Sequence, residues 1–173
     1  MKQRCYYKSP VGVLYIEEEQ GAITGIGLAK GKIGEDEKNI HKISDETESE
    51  LMTEAKRQLT EYFQRKRKTF ELPLAPAGTE FQKKVWAALC TVPYGTTCSY
   101  KEIAAKIENP KGCQAVGQAN GKNPIMIVIP CHRVICADGT LGGYSGGIEV
   151  KKYLLRVEGK WNLSSNLEID RKK

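Results

Sequence analysis

Histidine is nearly missing from this chain of 173 residues: His41 and His132 are the only two. The six cysteines contain no C-x-x-C pair, so the spacings that close a tetrahedral zinc site are absent and no metal ion is expected. Long apolar runs are also lacking, which excludes a transmembrane helix and any membrane partner. The opening MKQRCYYKSP has no apolar core of a secretory signal. A cytoplasmic protein is therefore expected, with Cys5, Cys90, Cys98, Cys113, Cys131 and Cys136 reduced. The pattern G-x-x-x-x-G-K-[ST] does not occur, so the glycine-rich stretch GTLGGYSGG is no phosphate-cradling loop.

What is present is ordinary in bulk. Hydrophobic residues make up 40% and charged residues 28%, enough for one compact domain or two small ones. A net charge of +6 is compatible with nucleic acid without pointing to it. The run Arg65-Lys66-Arg67-Lys68 has the look of a phosphate patch, but basic residues also favour the end of a solvated helix.

Hydrophobic patterning divides the chain. RCYYKS, VGVLYIEE and AITGIGLA alternate as strands, and the breaks at Ser9-Pro10 and Gln20-Gly21 predict an antiparallel meander. Residues 31–47 are polar and aperiodic, a loop. Leu51, Ala55, Leu59, Tyr62 and Phe63 then recur at helical spacing. The stretch ELPLAPAGTE, rich in proline, marks a boundary or stiff linker. Thr79 is the natural N-cap of a helix carrying Phe81, Val85, Trp86, Ala88 and Leu89, and Ser99 that of a helix carrying Tyr100, Ile103, Ala104 and Ile107. A further helix from Cys113 to about Gly121 completes a helix-turn-helix pattern. IMIVI reads as a short buried strand, and Val150, Tyr153, Leu154 and Val157 as the stripe of a last helix. The tail from Lys160 is polar and loosely ordered in this reading, with Trp161 docking it.

Three features could carry chemistry. The second helix of the pair, CQAVGQANGK, presents small residues and amides rather than the long polar side chains of a major-groove reader. That suits close approach to a sugar-phosphate wall, or equally a tightly packed internal helix. In PCHR, Cys131 adjoins His132; on the dipeptide alone a buried structural cysteine is the commoner explanation, a reactive thiolate the sharper one. GTLGGYSGG packs five glycines into nine positions around Tyr144 and Ser145, as in a loop pressed against a flat ligand.

Together these segments resemble a known family. PCHRV, preceded by Asn-Pro and an apolar run and followed by GGYSGG and LLRVEG, closely resembles the O6-alkylguanine-DNA alkyltransferases, as do GTEFQKKVWAAL and PYGTTCSYKEIA. YYKSPVGVLYIEE resembles that family's N-terminal domain more loosely. The resemblance implies an α+β chain: a small ribonuclease-H-like N-terminal domain over 1–76, a mainly helical domain with a helix-turn-helix over 77–160, and a polar tail over 161–173. It implies a monomer that binds duplex DNA carrying O6-alkylguanine and takes the alkyl group irreversibly onto its own cysteine, without a cofactor. Extrusion of the lesion is physically required, since a base inside a duplex cannot reach a buried thiol.

By the same resemblance Cys131 is the acceptor, His132 its base through a water, and Glu158 the partner of the imidazole. Tyr100 donates to the guanine ring nitrogen, the Ser145 N–H faces O6, the carbonyls of Cys131 and Val134 accept from the exocyclic amine, Tyr144 walls the pocket, and Asn123 ties strand and turn to the recognition helix. Gln114, Ala115, Gly117, Gln118 and Arg133 are the implied DNA contacts. Gln114 stands where the family usually has an arginine, which implies weaker or slower engagement of duplex DNA. Cys5 and His41 are too few for the zinc site some relatives carry. The rival reading, a lesion-binding module without transfer, belongs to relatives that lack the acceptor cysteine; a transcriptional regulator would need a further domain, and a cysteine hydrolase an oxyanion arrangement not seen here.

Overall fold

The computed structural model describes residues 2–29 and 48–160. The expected loop at 31–47 with His41, and the tail at 161–173 with Trp161, lie outside the described residues. The fold is α+β, and the chain divides into two units, Met1–Pro76 and Ala77–Lys173.

In the first unit, β1 (Gln3–Ser9), β2 (Gly12–Glu19) and β3 (Ala22–Leu28) form the expected antiparallel meander. Alternation places Leu14 and Ile16 of β2 on the buried face with Cys5, Ile23 and Ile26. A bulge between Glu17 and Glu18 shifts the register against β3. Helix α1 (Glu50–Phe63) starts at Ser49, whose side chain accepts from Met52 N, and lays Met52, Ala55, Leu59 and Tyr62 inward. Full burial of a residue such as Leu59 is worth about 2 kcal/mol. The proline-rich stretch is partly docked: Ile23 N donates to Pro73 O at 2.8 Å and Gln58 brackets the backbone of Glu71. The basic run lies beyond α1, and Arg67 there pairs with Glu61.

In the second unit, α2 (Glu80–Leu89) and α3 (Tyr100–Lys106) both open with full capping boxes, Thr79 with Gln82 and Ser99 with Glu102. α4 (Cys113–Gly121) follows α3 as the second helix of the helix-turn-helix and has no side-chain cap. Trp86 of α2 donates to the carbonyl of Ala119 at 2.9 Å, which locks α4 against α2. A short parallel pair, β4 (Cys98–Ser99) with β5 (Val134–Ile135), brings the start of α3 beside the residues that follow Cys131. Helix α5 (Ile148–Val157) closes the unit.

Two expectations need correction. IMIVI is not a strand: it folds into consecutive tight turns, with Val128 N bonded to Met126 O, Ile129 N to Ile125 O, and Ile127 at a φ of 73°. A strand needs a neighbour for its backbone groups, and here the turns and Asn123 satisfy them instead. Ile125, Met126, Ile127 and Ile129 are nonetheless buried, so the apolar run signalled burial, not extension. On α5 the inward stripe is Lys151, Leu154, Leu155 and Val157, which leaves Val150 and Tyr153 half-buried.

Candidate active site

Cys131 therefore does not end a strand. It opens a single 3-10 turn, Cys131–Arg133, that leads into β5. The thiol is 2% exposed and His132 is fully buried. Asn123 shapes the preceding loop by accepting from Ile125 N at 3.0 Å and donating to Ile129 O at 2.8 Å. Its backbone N–H bonds Asn120 O of α4 at 3.3 Å, which ties the turn to that helix as expected, and Asn120 adds a second link by donating to the carbonyl of Cys131 at 3.4 Å.

Behind the thiol, His132 Nε2 pairs with Glu158 Oε2. A carboxylate only accepts, so Nε2 carries the hydrogen and Nδ1 the lone pair. Nδ1 is buried and has no protein partner. Glu158 caps the C-terminus of α5, where the helix dipole opposes a negative charge. Burial would raise its pKa, but hydrogen bonds and charge from His132 and Arg133 outweigh this and hold it at about 2. Burial lowers the pKa of His132 despite Glu158, so the ring rests neutral and able to take a proton.

Arg133 is the clearest departure from the sequence-based assignment. It was expected at the DNA, but it is 6% exposed and points inward. Its Nε donates to Glu158 Oε1 at 2.6 Å and its Nη1 to Val92 O at 2.7 Å, with the guanidinium 5.8 Å from the Tyr94 ring centre. Gly95 N adds a 3.4 Å contact to the same carboxylate oxygen, and Tyr94 bonds Val157 O at 3.1 Å. PYG thus clamps the end of α5. Arginine is the residue for such a fork, and its charge is consumed there.

A cleft of about 270 Å³ is lined by Tyr100, Gly117, Asn120, Gly121, Gly143, Tyr144 and Ser145, and Asn120 links it to the backbone of Cys131. Tyr100 enters as the first residue of α3, its hydroxyl facing Gly142, where φ is +69° and a side chain would meet it at 3.2 Å. Gly117 faces the Tyr100 ring, so it opens the cleft rather than lying on the outer face of α4. That outer face carries Gln114, Ala115 and Gln118, all exposed. The Tyr144 hydroxyl is buried without a hydrogen-bond partner, and burial together with Cys131 holds it protonated. Ser145 is exposed. Burial raises the Cys131 pKa, opposed by Asn123, by the Lys151 charge and by Tyr144.

Sequence reasoning missed Asn120, the clamp of Tyr94 and Gly95, and Lys151. Lys151 is fully buried and donates to the carbonyl of Val134 at 2.7 Å, so that carbonyl already has one partner. A lysine two turns ahead of Glu158 and in phase with Leu154 and Leu155 was the available signal. Exposed Lys111 and Lys122 flank α4 and were also passed over. Among the described residues no three His, Cys, Asp or Glu side chains gather as a metal site, and no helix is long and apolar enough to cross a membrane.

Comparison with known proteins converges on one family. Residues 80–160 match the 6-O-methylguanine DNA methyltransferase DNA binding domain, and residues 4–76 its ribonuclease-like domain. A methylated-DNA–protein-cysteine methyltransferase of Methanosarcina barkeri is 46% identical over 152 residues, which cover 87% of this chain and 93% of that protein. The crystal structure of the Mycobacterium tuberculosis O6-methylguanine methyltransferase is 37% identical and aligns with a TM-score of 0.79 over 98% of this chain and 99% of its own. The same organism's protein in complex with DNA aligns with a TM-score of 0.78, over 95% of this chain and 98% of its own.

Proposed function

This chain belongs to the 6-O-methylguanine DNA methyltransferase family, and on that premise we propose that it repairs DNA by direct reversal, moving an alkyl group from guanine O6 irreversibly onto Cys131. The observation that carries the reading is the buried series Cys131, His132, Glu158, with His132 Nδ1 left free to accept a proton, near a cleft of about 270 Å³ lined by Tyr100 and Tyr144. The DNA-bound relative supports DNA as the partner, which we take to be a duplex carrying O6-alkylguanine. We assign DNA contact and chemistry to residues 77–160, acting in a monomer.

The lesion rotates out of the duplex into the cleft, and a damaged pair costs less to open than an intact one. The Cys131 proton passes through a water to His132 Nδ1, and ionised Glu158 stabilises the imidazolium that results. The thiolate attacks the saturated alkyl carbon. The S–C bond forms as the C–O6 bond breaks, and the bonding pair leaves on O6. Tyr100 donates to the guanine ring nitrogen as charge develops, and the Ser145 N–H faces O6. Burial keeps Tyr100 protonated, and the nearby thiols act the same way, so it is a donor at neutral pH. The exocyclic amine is assigned to the carbonyls of Val134, which accepts from Lys151, and of Cys131, which already accepts from Asn120 and from Val134 N, so that the amine shares or displaces the long Asn120 bond. The exposed face of α4, with Gln114, Ala115 and Gln118 between Lys111 and Lys122, lies along the sugar-phosphate wall.

The test is to mix the protein with a duplex containing O6-methylguanine and to map the modified peptide by mass spectrometry. One methyl group per protein, on Cys131, is expected, and Cys131→Ala should still bind the duplex without transfer. Binding with no transfer by the unaltered chain would favour the lesion-binding module, and repeated turnover would overturn the irreversible step.

A further inference from the structure

Lys151 sits on the buried stripe of α5 with no exposure. Its ammonium donates to the carbonyls of Val134 at 2.7 Å, Leu141 at 2.5 Å and Gly143 at 3.2 Å. An ammonium has three donors, so all are used. These bonds fasten β5 and the start of the glycine turn to α5. Carbonyl dipoles do not cancel a full charge, however. Among the described residues no carboxylate forms an ion pair with Lys151: Glu158 is committed to His132 and Arg133, and Glu149 to Lys152. A buried ammonium without a counter-ion is costly, and proteins rarely keep one unused.

The groups that favour its charge are the thiols of Cys131 and Cys136. We infer that Lys151 is the built-in counter-ion of the Cys131 thiolate and, through its three carbonyls, the residue that positions the glycine turn beside it. The inference rests on the reading of Cys131 as the alkyl acceptor. Burial lowers the lysine to about 8 with the thiols opposing, and the lysine in turn lowers Cys131. The other groups acting on Cys131, Asn123 and Tyr144, are neutral, and Lys151 is the charged group that favours its thiolate. The same charge disfavours a proton on His132, which Glu158 must hold alone. The S-alkyl product is neutral. In the spent protein Lys151 loses its counter-ion, and its ammonium becomes easier to deprotonate.

Two measurements on the full chain test this. In the first, the Lys151 Cε resonance is followed through a pH titration before and after S-methylation of Cys131, with Lys151→Arg used to assign the peak. A midpoint lower by about one unit in the methylated protein is expected, and an unchanged midpoint overturns the proposal. In the second, iodoacetamide labelling of the Cys131 peptide is read against pH. Lys151→Met should move the profile up by about one unit, a roughly tenfold slower reaction at pH 7, while Lys151→Arg keeps the profile. A uniform fall with the midpoint unmoved would mean that Lys151 is only a structural clamp. Should Lys151→Met fail to fold, the titration and Lys151→Arg still decide. Neither readout uses DNA, so failure of this inference and failure of methyl transfer from a duplex are read separately.

Discussion

Arg133 donates to Glu158 Oε1 at 2.6 Å and leaves Oε2 of the same carboxylate to His132. Removing the guanidinium would leave a buried anion without its charged partner, held by the neutral His132 ring and the long Gly95 N contact. Arg133→Met should therefore cost about 3–5 kcal/mol in urea denaturation, the usual loss when one partner of a buried pair is deleted. Its effect on DNA binding should be of another kind. A phosphate contact would lower the slope of log affinity against log salt by about 0.9, but an inward-facing arginine leaves that slope unchanged. A reduced slope would return Arg133 to the DNA interface.

Acid should weaken the protein in two stages. His132 is lowered by burial, so below its unfolded value of about 6.5 the unfolded chain binds more protons and stability falls. Glu158 is lowered to about 2, so its contribution is complete above the unfolded carboxylate range and is lost as pH falls toward 2. Both slopes have the same sign. The carboxylate's share is on the order of 3 kcal/mol. Stability measured from pH 7 to 2 should decline throughout, and Glu158→Gln should flatten the lower part alone. A wild-type curve level between pH 6 and 3 would contradict this assignment.

The two capping boxes separate stability from function. Thr79→Ala and Ser99→Ala each remove a side-chain cap worth about 1 kcal/mol, so their denaturation midpoints should fall alike. Tyr100 is the residue directly after Ser99, and its ring lines the cleft. Only Ser99→Ala should slow alkyl transfer, by several-fold, while Thr79→Ala transfers at the unaltered rate. Equal rates in the two variants would show that Tyr100 is held by packing rather than by its cap.

Local signals were legible. Thr79, Ser99 and the helices they start depend on residues within one turn, and the structure has them as read. The neighbours Cys131 and His132 were legible for the same reason. Arg133 was not, because its charge suggests solvent and its partner lies 25 positions away. IMIVI misled in the opposite way: apolar content reports burial, while a strand depends on a neighbour that Asn123 made unnecessary. Lys151 escaped because a lysine beside an apolar stripe looks like its edge, and only the rotation of α5 turns it inward.

Gln114 is exposed in the first turn of α4, one turn before exposed Gln118, on the face assigned to the duplex. A glutamine there can hydrogen-bond an orphaned base, but it carries no charge and no planar fork. Gln114→Arg supplies both. Affinity for a lesion-containing duplex should rise by about tenfold at moderate salt, and the salt slope should steepen by about 0.9. The repair rate on duplex should rise as well, because a guanidinium can stack in the space that the extruded base leaves. Transfer from a free O6-alkylguanine base should not change, since no duplex has to be opened. Gln114→Lys separates the two contributions: its charge should raise affinity and slope, but without the fork the rate on duplex should stay near that of glutamine. If Gln114→Arg altered neither affinity nor rate, the position would have no part in engaging DNA.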